Sequence, residues 1–335
     1  MKNKFKYLIV LIFLVIIFLA IWFFKFAKNY PWPQDLNYRP GYFGVTFSTK
    51  MAKELGLDWK ESFLAILDDL KVKNIRLPIY WDQVVPHRGE YKFSDYDWML
   101  NEGKNRDVKF VLNVGYRLPR WPECHAPVWI LGKNKDFRET EALKMLEVVV
   151  KRYRDRSEIE YWQVENEPFL DVFGECPASD LNFLQKEIDL VRRLDSRPIL
   201  ISASGELSLW QKESKAGDIF GTTLYRVVWG PSSGYIRYPL PAIFYRLKAD
   251  LAKIPQEKRI ISELQAEPWV PSGYMKDLPE SEAKKSFSLE QFKANTQFGI
   301  NVDFQKAYFW GVEWWYKKFK DGEPQYWDFA KTLFK

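Results

Sequence analysis

The sequence is poor in histidine and cysteine, with two residues of each type among 335. A hydrolase built on a histidine-rich metal centre needs more imidazole ligands than His87 and His125 provide. Neither a Walker-type loop nor a G-x-G-x-x-G pattern occurs, so nucleotide chemistry has no support. We therefore expect no bound metal and no cofactor.

The formal net charge is also small, at +6. Much of it comes from lysines that flank the first apolar run, so it does not indicate a nucleic-acid partner. What the chain does have is aromatic side chains, which make up 17% of it and include 15 tryptophans. Such rings form core, but their flat faces also stack on sugar rings.

The amino terminus carries one long apolar run. Tyr7 to Phe24 contains no charged residue and is about long enough to cross a bilayer. Lysines on both sides favour a cytoplasmic amino terminus with the rest of the chain outside. We predict a membrane anchor over residues 1–28, followed by a proline-containing linker over residues 29–40. The alternative is a cleaved signal peptide, which would make the protein secreted; the bulky residues after the run disfavour it.

From Gly41 onward, short apolar runs alternate with amphipathic segments, which predicts an α/β fold. The predicted strands are 42–47, 74–79, 109–114, 159–164, 198–202, 219–224, 259–262 and 307–312. The predicted helices begin at Asp58 and Asp180 or span 94–106, 139–153, 241–251 and 323–334. Eight strands with intervening helices indicate a (β/α)8 TIM barrel over residues 41–335, preceded by the transmembrane helix.

Two acidic residues stand at the ends of predicted strands. The fourth strand runs into Asn166-Glu167-Pro168, and the proline stops the strand behind the glutamate. The seventh strand runs into Glu263. Active sites of such barrels lie at the carboxyl ends of the strands, where strands four and seven face each other. Two carboxyl groups that face one bond are what glycoside hydrolysis requires.

These motifs resemble the clan A glycoside hydrolases, which are retaining enzymes on a (β/α)8 barrel, and are similar to families 5, 39 and 42. The resemblance covers most of the chain after Tyr42 and implies that Glu167 is the acid/base and Glu263 the nucleophile. It further implies that Asn166 binds the sugar 2-hydroxyl. Arg76 matches the strand-two arginine that hydrogen-bonds the nucleophile.

Two further positions follow from the same resemblance. Tyr225 matches a tyrosine that holds the nucleophile, and Trp314 is our choice for the strand-eight tryptophan that floors the subsite. Trp310 and Trp315 are alternatives to Trp314, and simple packing explains any of the three. Each of these residues also has a purely structural interpretation. Arg76 would then form a salt bridge at the barrel rim, and Tyr225 would be a core tyrosine. Glu263 would be an ordinary carboxylate at a strand end.

Three other polar residues need an interpretation. Glu267 is the alternative nucleophile to Glu263. His125 lies in a polar loop and is expected to be structural. Glu165 is expected to point away from Glu167.

The mechanism needs one carboxyl protonated and the other ionised. Repulsion between two like charges at short range raises the pKa of one carboxyl and so separates the two pKa values. Arg76 and Tyr225 would favour the ionised form of Glu263, which leaves the proton on Glu167. Cys124 and Cys176 lie in the loops after strands three and four, so in an oxidising compartment they are a candidate disulfide.

The sequence thus predicts a membrane-anchored retaining O-glycosidase that acts outside the cytoplasm on an oligo- or polysaccharide. A barrel that binds glycan without cleaving it, or a transglycosylase, is the alternative. Both carboxylates together with Arg76 and Tyr225 favour the enzyme, because a binding protein needs no such set.

Overall fold

The described part of the chain folds into a closed barrel. The computed structural model describes residues 40–334 and nine residues nearer the amino terminus, namely Lys6, Tyr7, Val10, Phe13, Leu14, Val15, Ile17, Phe18 and Ile21. The strands are β1 (Phe43–Thr46), β2 (Asn74–Pro78), β3 (Lys109–Val114), β4 (Ile159–Val164), β5 (Ile199–Ala203), β6 (Ile219–Leu224), β7 (Val227–Gly230), β8 (Gly234–Arg237), β9 (Arg259–Gln265) and β10 (Ala307–Trp310). Within this part, all except β7 and β8 form one parallel barrel in the order β1-β10-β9-β6-β5-β4-β3-β2. The predicted (β/α)8 barrel is confirmed.

Helices surround the barrel between successive strands. They are α1 (Thr49–Glu54), α2 (Trp59–Asp68), α3 (Trp81–Val84), α4 (Ser94–Lys104), α5 (Lys135–Tyr153), α6 (Leu181–Leu194), α7 (Glu213–Ala216), α8 (Ala242–Leu251), α9 (Glu280–Ser286), α10 (Leu289–Val302), α11 (Val312–Lys320) and α12 (Gln325–Lys331). Residues next to the helix starts determine where several of these helices begin. The Asp58 side chain accepts from the backbone N–H groups of Lys60 and Glu61, and that of Asp180 does the same for Asn182 and Phe183.

The interior of the barrel is apolar below the strands' carboxyl ends. Val111, Leu200, Ile260 and Tyr308 come from four different strands and contact one another as one buried cluster. Because a parallel sheet covered by helices is buried on both faces, polar side chains are tolerated chiefly where the strands end. Polar side chains of the barrel therefore collect where the strands end.

Several features differ from the sequence prediction. The eighth barrel strand, β10, ends at Trp310 rather than at residue 312, because Gly311 has φ 130° and the backbone turns there into α11. The antiparallel hairpin β7–β8 after β6 was not predicted, and neither was α10. The hairpin is short and half-buried, so its residues carry little periodic signal.

The predicted anchor over residues 1–28 and most of the linker over residues 29–40 lie outside the described residues apart from nine isolated positions. Among all described residues, no helix combines the length and the apolar character that crossing a membrane requires. The anchor stays a prediction.

Candidate active site

Glu263 lies near the end of β9 and is held by two donors. The Arg76 guanidinium donates from Nη1 to Oε1 at 2.8 Å, and the Tyr225 hydroxyl donates to Oε2 at 2.9 Å. Arg76 and Glu263 are 1% and 2% exposed. A buried carboxylate is stable only when it is paired and hydrogen-bonded, and here both oxygens have partners. The arrangement holds the Glu263 carboxylate in a fixed orientation beside a cation.

The same guanidinium reaches Asn166 at the end of β4. Arg76 Nη2 donates to Asn166 Oδ1 at 2.7 Å, and the Ser202 hydroxyl donates to the same oxygen at 3.1 Å. With its oxygen occupied in this way, Asn166 turns its amide nitrogen toward the barrel mouth, where it donates to Glu123 Oε2 at 3.3 Å. One arginine thus fixes both a carboxylate and an amide, with the planar geometry that suits guanidinium recognition.

Glu167 follows Asn166 in the chain, and its surroundings differ from those of Glu263. Thr223 Oγ1 donates to its Oε1 at 3.1 Å, and Thr223 lies opposite Glu263 in the pairing of β6 with β9. Burial raises the pKa of Glu167 well above its ordinary value, and the negative charges of Glu263 and Glu123 raise it further, against the opposing charge of Arg117. These surroundings favour the neutral form of the Glu167 carboxyl.

The backbone at this strand end is unusual. Glu165 has φ 59° and Glu167 has φ 44°, both in the left-handed region that non-glycine residues rarely adopt. Such conformations cost about 1–3 kcal/mol each and cluster at functional sites. The turn directs Glu167 and Glu165 to different surroundings: Glu165 accepts from the backbone N–H groups of Tyr116 and Arg117 and faces buried Glu187 of α6.

A third carboxyl, Glu123, was missed by the sequence analysis. It lies in the loop after β3, is 3% exposed, and has Arg117 Nε 3.5 Å from its Oε2. Burial raises the pKa of Glu123 to about 8, despite the opposing charge of Arg117. Only the tertiary fold distinguishes this residue from an ordinary loop glutamate.

Glu267, the alternative nucleophile, belongs to a separate cluster. Its carboxylate is ion-paired with Arg120, which also donates from Nη2 to Glu313 Oε2 at 2.9 Å and lies over the Trp310 ring at 4.1 Å. Arg76 and Tyr225 contact Glu263 instead. The geometry favours Glu263 over Glu267 as the carboxylate that faces Glu167.

The structure does not bring Trp314 to this group. Trp314 lies in α11, not in a strand, and packs against Phe287 and Tyr326 in the helical layer. Trp315 also lies in α11 and packs on Phe292. Trp310 is the tryptophan at the end of β10, because the strand ends there and the following turn reverses the chain. The expected position of Trp314 was wrong for that reason.

The remaining two predictions concern the loop after β3. His125 is buried, its Nε2 lies 3.0 Å from the Arg120 carbonyl, and burial lowers its pKa to about 3, so the neutral ring donates to that carbonyl as a structural group. Cys124 and Cys176 form a disulfide, with their Cα atoms 5.3 Å apart. It ties the loop after β3 to the loop after β4.

Several solved structures share this architecture. Xylanase 10B from Thermotoga petrophila RKU-1, in complex with xylobiose, is 15% identical with a TM-score of 0.54 over 81% of this chain and 82% of its own. A GH5_18 protein from Streptomyces cattleya, in complex with GlcNAc, is 14% identical with a TM-score of 0.56, over 81% and 70% of the two chains. An exo-beta-1,4-mannosidase from Opitutaceae bacterium strain TAV5 is 13% identical with a TM-score of 0.56, over 80% of this chain and 51% of that one.

The likeness to these proteins is one of fold. No protein-family model matches the sequence, and neither does any curated protein. The chain shares the barrel fold of known glycoside hydrolases at identities of 13–15%. The same fold supports many chemistries, so the activity has to be argued from the site.

Proposed function

We propose that this protein is a retaining O-glycoside hydrolase that cleaves an oligo- or polysaccharide, with Glu167 as the acid/base and Glu263 as the nucleophile. The observation that carries the proposal is the contrast between the two carboxyls. Glu263 has a cation and a hydroxyl on its two oxygens, whereas burial and nearby negative charge favour the neutral form of Glu167. Two carboxyl groups with separated protonation states are what double displacement needs.

In the first step, a Glu263 oxygen attacks the anomeric carbon while the bond from that carbon to the leaving oxygen breaks. Glu167 gives its proton to the leaving oxygen, and the sugar becomes an ester of Glu263. In the second step, water attacks the same carbon and loses its proton to Glu167. The ester breaks, Glu263 is again a carboxylate, and configuration at the anomeric carbon is retained.

Asn166 and Arg76 support the first step by positioning. The Asn166 amide nitrogen is directed to the mouth because its oxygen is held by Arg76 and Ser202, so it is placed to donate to a sugar 2-hydroxyl. Arg76 holds Glu263 in one orientation, which lowers the cost of reaching a reactive geometry.

The test is covalent trapping. A panel of 2-fluoro glycosyl fluorides, which form the ester but release it slowly, is incubated with the protein, and the mass of the intact chain is measured. We expect one added sugar, located by peptide mapping on Glu263. The Glu263→Gln variant should take up none, and the Glu257→Gln variant, with an exposed carboxylate before β9, should label as the wild type does.

Labelling of Glu267 instead of Glu263 would overturn the assignment of the nucleophile. Absence of labelling across the panel, together with retained glycan binding, would favour the non-catalytic barrel. A transglycosylase forms the same ester, so it is separated by products: it passes the sugar to an added acceptor sugar in preference to water.

The proposed location is outside the cytoplasm, with residues 1–28 as the anchor, 29–40 as the linker and 41–335 as the catalytic domain. The uncharged run Tyr7 to Phe24 and the Cys124–Cys176 disulfide support it, since disulfides persist in oxidising compartments. Protease added to intact cells should digest the domain. A domain that stays resistant in intact cells would contradict the proposed location. Retention of residues 1–28 on the membrane-bound protein separates an anchor from a cleaved signal.

A further inference from the structure

We propose that the enzyme removes single sugars from the non-reducing end of its substrate, because the half of the barrel mouth that would hold further sugars on that side is filled. The inference rests on the proposed function and adds the mode of action. It follows from the loop between β3 and the turn at Val128–Ile130, residues 115–127, which we call the β3 loop.

The catalytic pair sets the direction of the substrate. The proton donor has to lie beside the leaving oxygen, so the leaving group occupies the side of Glu167 and β4. The sugar that is attacked lies over Glu263, and any preceding sugars extend away from Glu167. That direction leads over the ends of β10, β1 and β2, next to Glu263 and Arg76.

The β3 loop crosses the mouth into this half. Arg120 leaves the β3 side and reaches the opposite side of the barrel, where it pairs with Glu267 after β9 and with Glu313 at the start of α11. Its guanidinium lies over the Trp310 ring at the end of β10. Arg120 and Glu267 are each 5% exposed, so this ion pair is covered by protein on the side of the mouth that it crosses.

The space below Arg120 is also occupied. Ser48 after β1 and Tyr80 after β2 are hydrogen-bonded, with their hydroxyl oxygens 2.7 Å apart, and the Ser48 N–H donates to Glu313. The His125 ring packs on Tyr80 with 4.4 Å between centroids. All of these side chains are buried. Beyond the sugar at Glu263, therefore, no further sugar fits on the non-reducing side.

The β3 loop is fastened at several points, so it acts as a wall. The disulfide joins Cys124 to Cys176, the Glu175 N–H donates to the Pro122 carbonyl at 2.9 Å, and Arg117 Nη2 donates to the Phe173 carbonyl at 2.7 Å. Together with the ion pairs of Arg120 at its far side, these contacts hold the loop across the mouth. Opening this half requires breaking a buried ion pair, which is costly.

The edge of the remaining opening carries aromatic rings. Tyr225 contacts Trp269, Trp269 contacts Phe173, and Phe173 contacts Trp121, with centroids 5.6, 5.8 and 5.7 Å apart. Trp121 is 59% exposed and offers a free face. Sugars of the leaving group stack on such faces, so the long part of the substrate lies on this side.

The experiment compares two substrates of the wild-type protein. One is the 4-nitrophenyl glycoside of the sugar that a monoglycoside panel identifies, and the other is the 4-nitrophenyl glycoside of the matching disaccharide. We expect kcat/KM for direct release of nitrophenol from the disaccharide derivative to be at least about a hundredfold lower, since its extra sugar has no place to bind. The first products of the disaccharide derivative should be the free monosaccharide and the nitrophenyl monoglycoside.

One result would contradict the mode of action alone, and another would contradict the hydrolase activity as well. Rapid release of nitrophenol with intact disaccharide, alongside activity on the monoglycoside, overturns end-removal but leaves the hydrolase intact. Trapping and turnover that fail with every sugar overturn the hydrolase itself, and the mode of action with it.

A variant tests the wall directly. Arg120→Ala should raise the rate of direct release from the disaccharide derivative relative to the monoglycoside by about tenfold or more, because it removes the side chain that spans the mouth. Arg193→Ala, at an exposed position on α6, is the control and should leave that ratio unchanged. An unchanged ratio in a folded Arg120→Ala protein contradicts the role of the wall; if the variant does not fold, the wild-type comparison decides.

Discussion

Arg76 and Glu263 form an ion pair inside the barrel, 2.8 Å from Nη1 to Oε1, although 187 positions separate them in the chain. Both side chains are at most 3% exposed. The pair joins the second strand of the barrel to β9, and through Nη2 the same arginine also holds Asn166.

Replacing Arg76 with Met should destabilise the protein by about 3–5 kcal/mol, because Glu263 is left as a buried charge without a counterion. Activity should fall as well, and Arg76→Lys should recover only part of it, since an ammonium cannot bind both Glu263 and Asn166 in one plane. Urea unfolding and steady-state kinetics measure the two effects. The control is Arg88→Met: its pair with Glu141 has the same 2.8 Å length but Arg88 is 59% exposed, so the loss should be about 1 kcal/mol or less.

The Glu167→Gln variant should lose activity in proportion to how much its substrate needs a proton. With a sugar or alkyl leaving group we expect a loss of about 10²- to 10⁴-fold in kcat/KM. With 2,4-dinitrophenol, which leaves as an anion, the first step should be nearly unchanged and should appear as a rapid burst in stopped-flow absorbance. An equal loss with both leaving groups would argue against Glu167 as the acid.

The alkaline limb of the pH profile should belong to Glu167. A general acid works only while it is protonated, so activity is lost as pH rises through its pKa. Because burial and the charges of Glu263 and Glu123 raise that pKa, the limb should lie well above the ordinary carboxyl range near 4. In Glu167→Gln assayed with the dinitrophenyl substrate, the limb of the first step should disappear. A limb that persists unchanged assigns it to another group.

Glu123 should make the folded protein less stable as pH rises. Its pKa is raised to about 8 in the folded state, so its contribution is fully present below the ordinary carboxyl pKa and is lost as pH rises through about 8. Glu123→Gln cannot ionise, so the stability of the variant relative to wild type should increase between pH 5 and pH 8 by more than about 1 kcal/mol. Denaturant unfolding at both values measures it, and a constant difference would contradict the raised pKa.

The Cys124–Cys176 disulfide closes a segment with a sequence separation of 52. The chain-entropy model gives a loss of about 4 kcal/mol for the Cys124→Ser/Cys176→Ser variant. Wild type unfolded in the presence of a reductant should behave as the variant does. If the two proteins unfold at the same denaturant concentration under oxidising conditions, the bond does not restrain the chain.

Much of the barrel could be predicted because its signals are local. The apolar run 159–164 matches β4 residue for residue, and Asp58 and Asp180 mark helix starts through hydrogen bonds to neighbours two and three positions away. Glu167, which follows β4, and Glu263, which lies two positions before the end of β9, follow from the same reasoning, since charge is rare in the middle of a buried strand. Short periodic windows contain all of this information.

Trp314 shows where local reasoning fails. The run 307–312 reads as one strand, but Gly311 takes a positive φ and turns the chain, which places Trp314 on a helix that packs away from the mouth. The turn depends on Gly311 and on the contacts around it, since a Cβ atom at this position would clash with Ala266 and Glu267, which follow β9. A single sequence contains no such contact.

The sequence by itself determined the order of the eight barrel strands and the two carboxyls near opposed strand ends, because hydrogen bonding and burial along each segment act over a few residues. The tertiary structure alone decided what surrounds those carboxyls: Glu123 beside Asn166, and Arg120 across the mouth on Glu267 and Glu313. These contacts join loops more than a hundred positions apart or bury a charge that looks exposed in the sequence. Their energies depend on distances and desolvation that exist only once the barrel has closed.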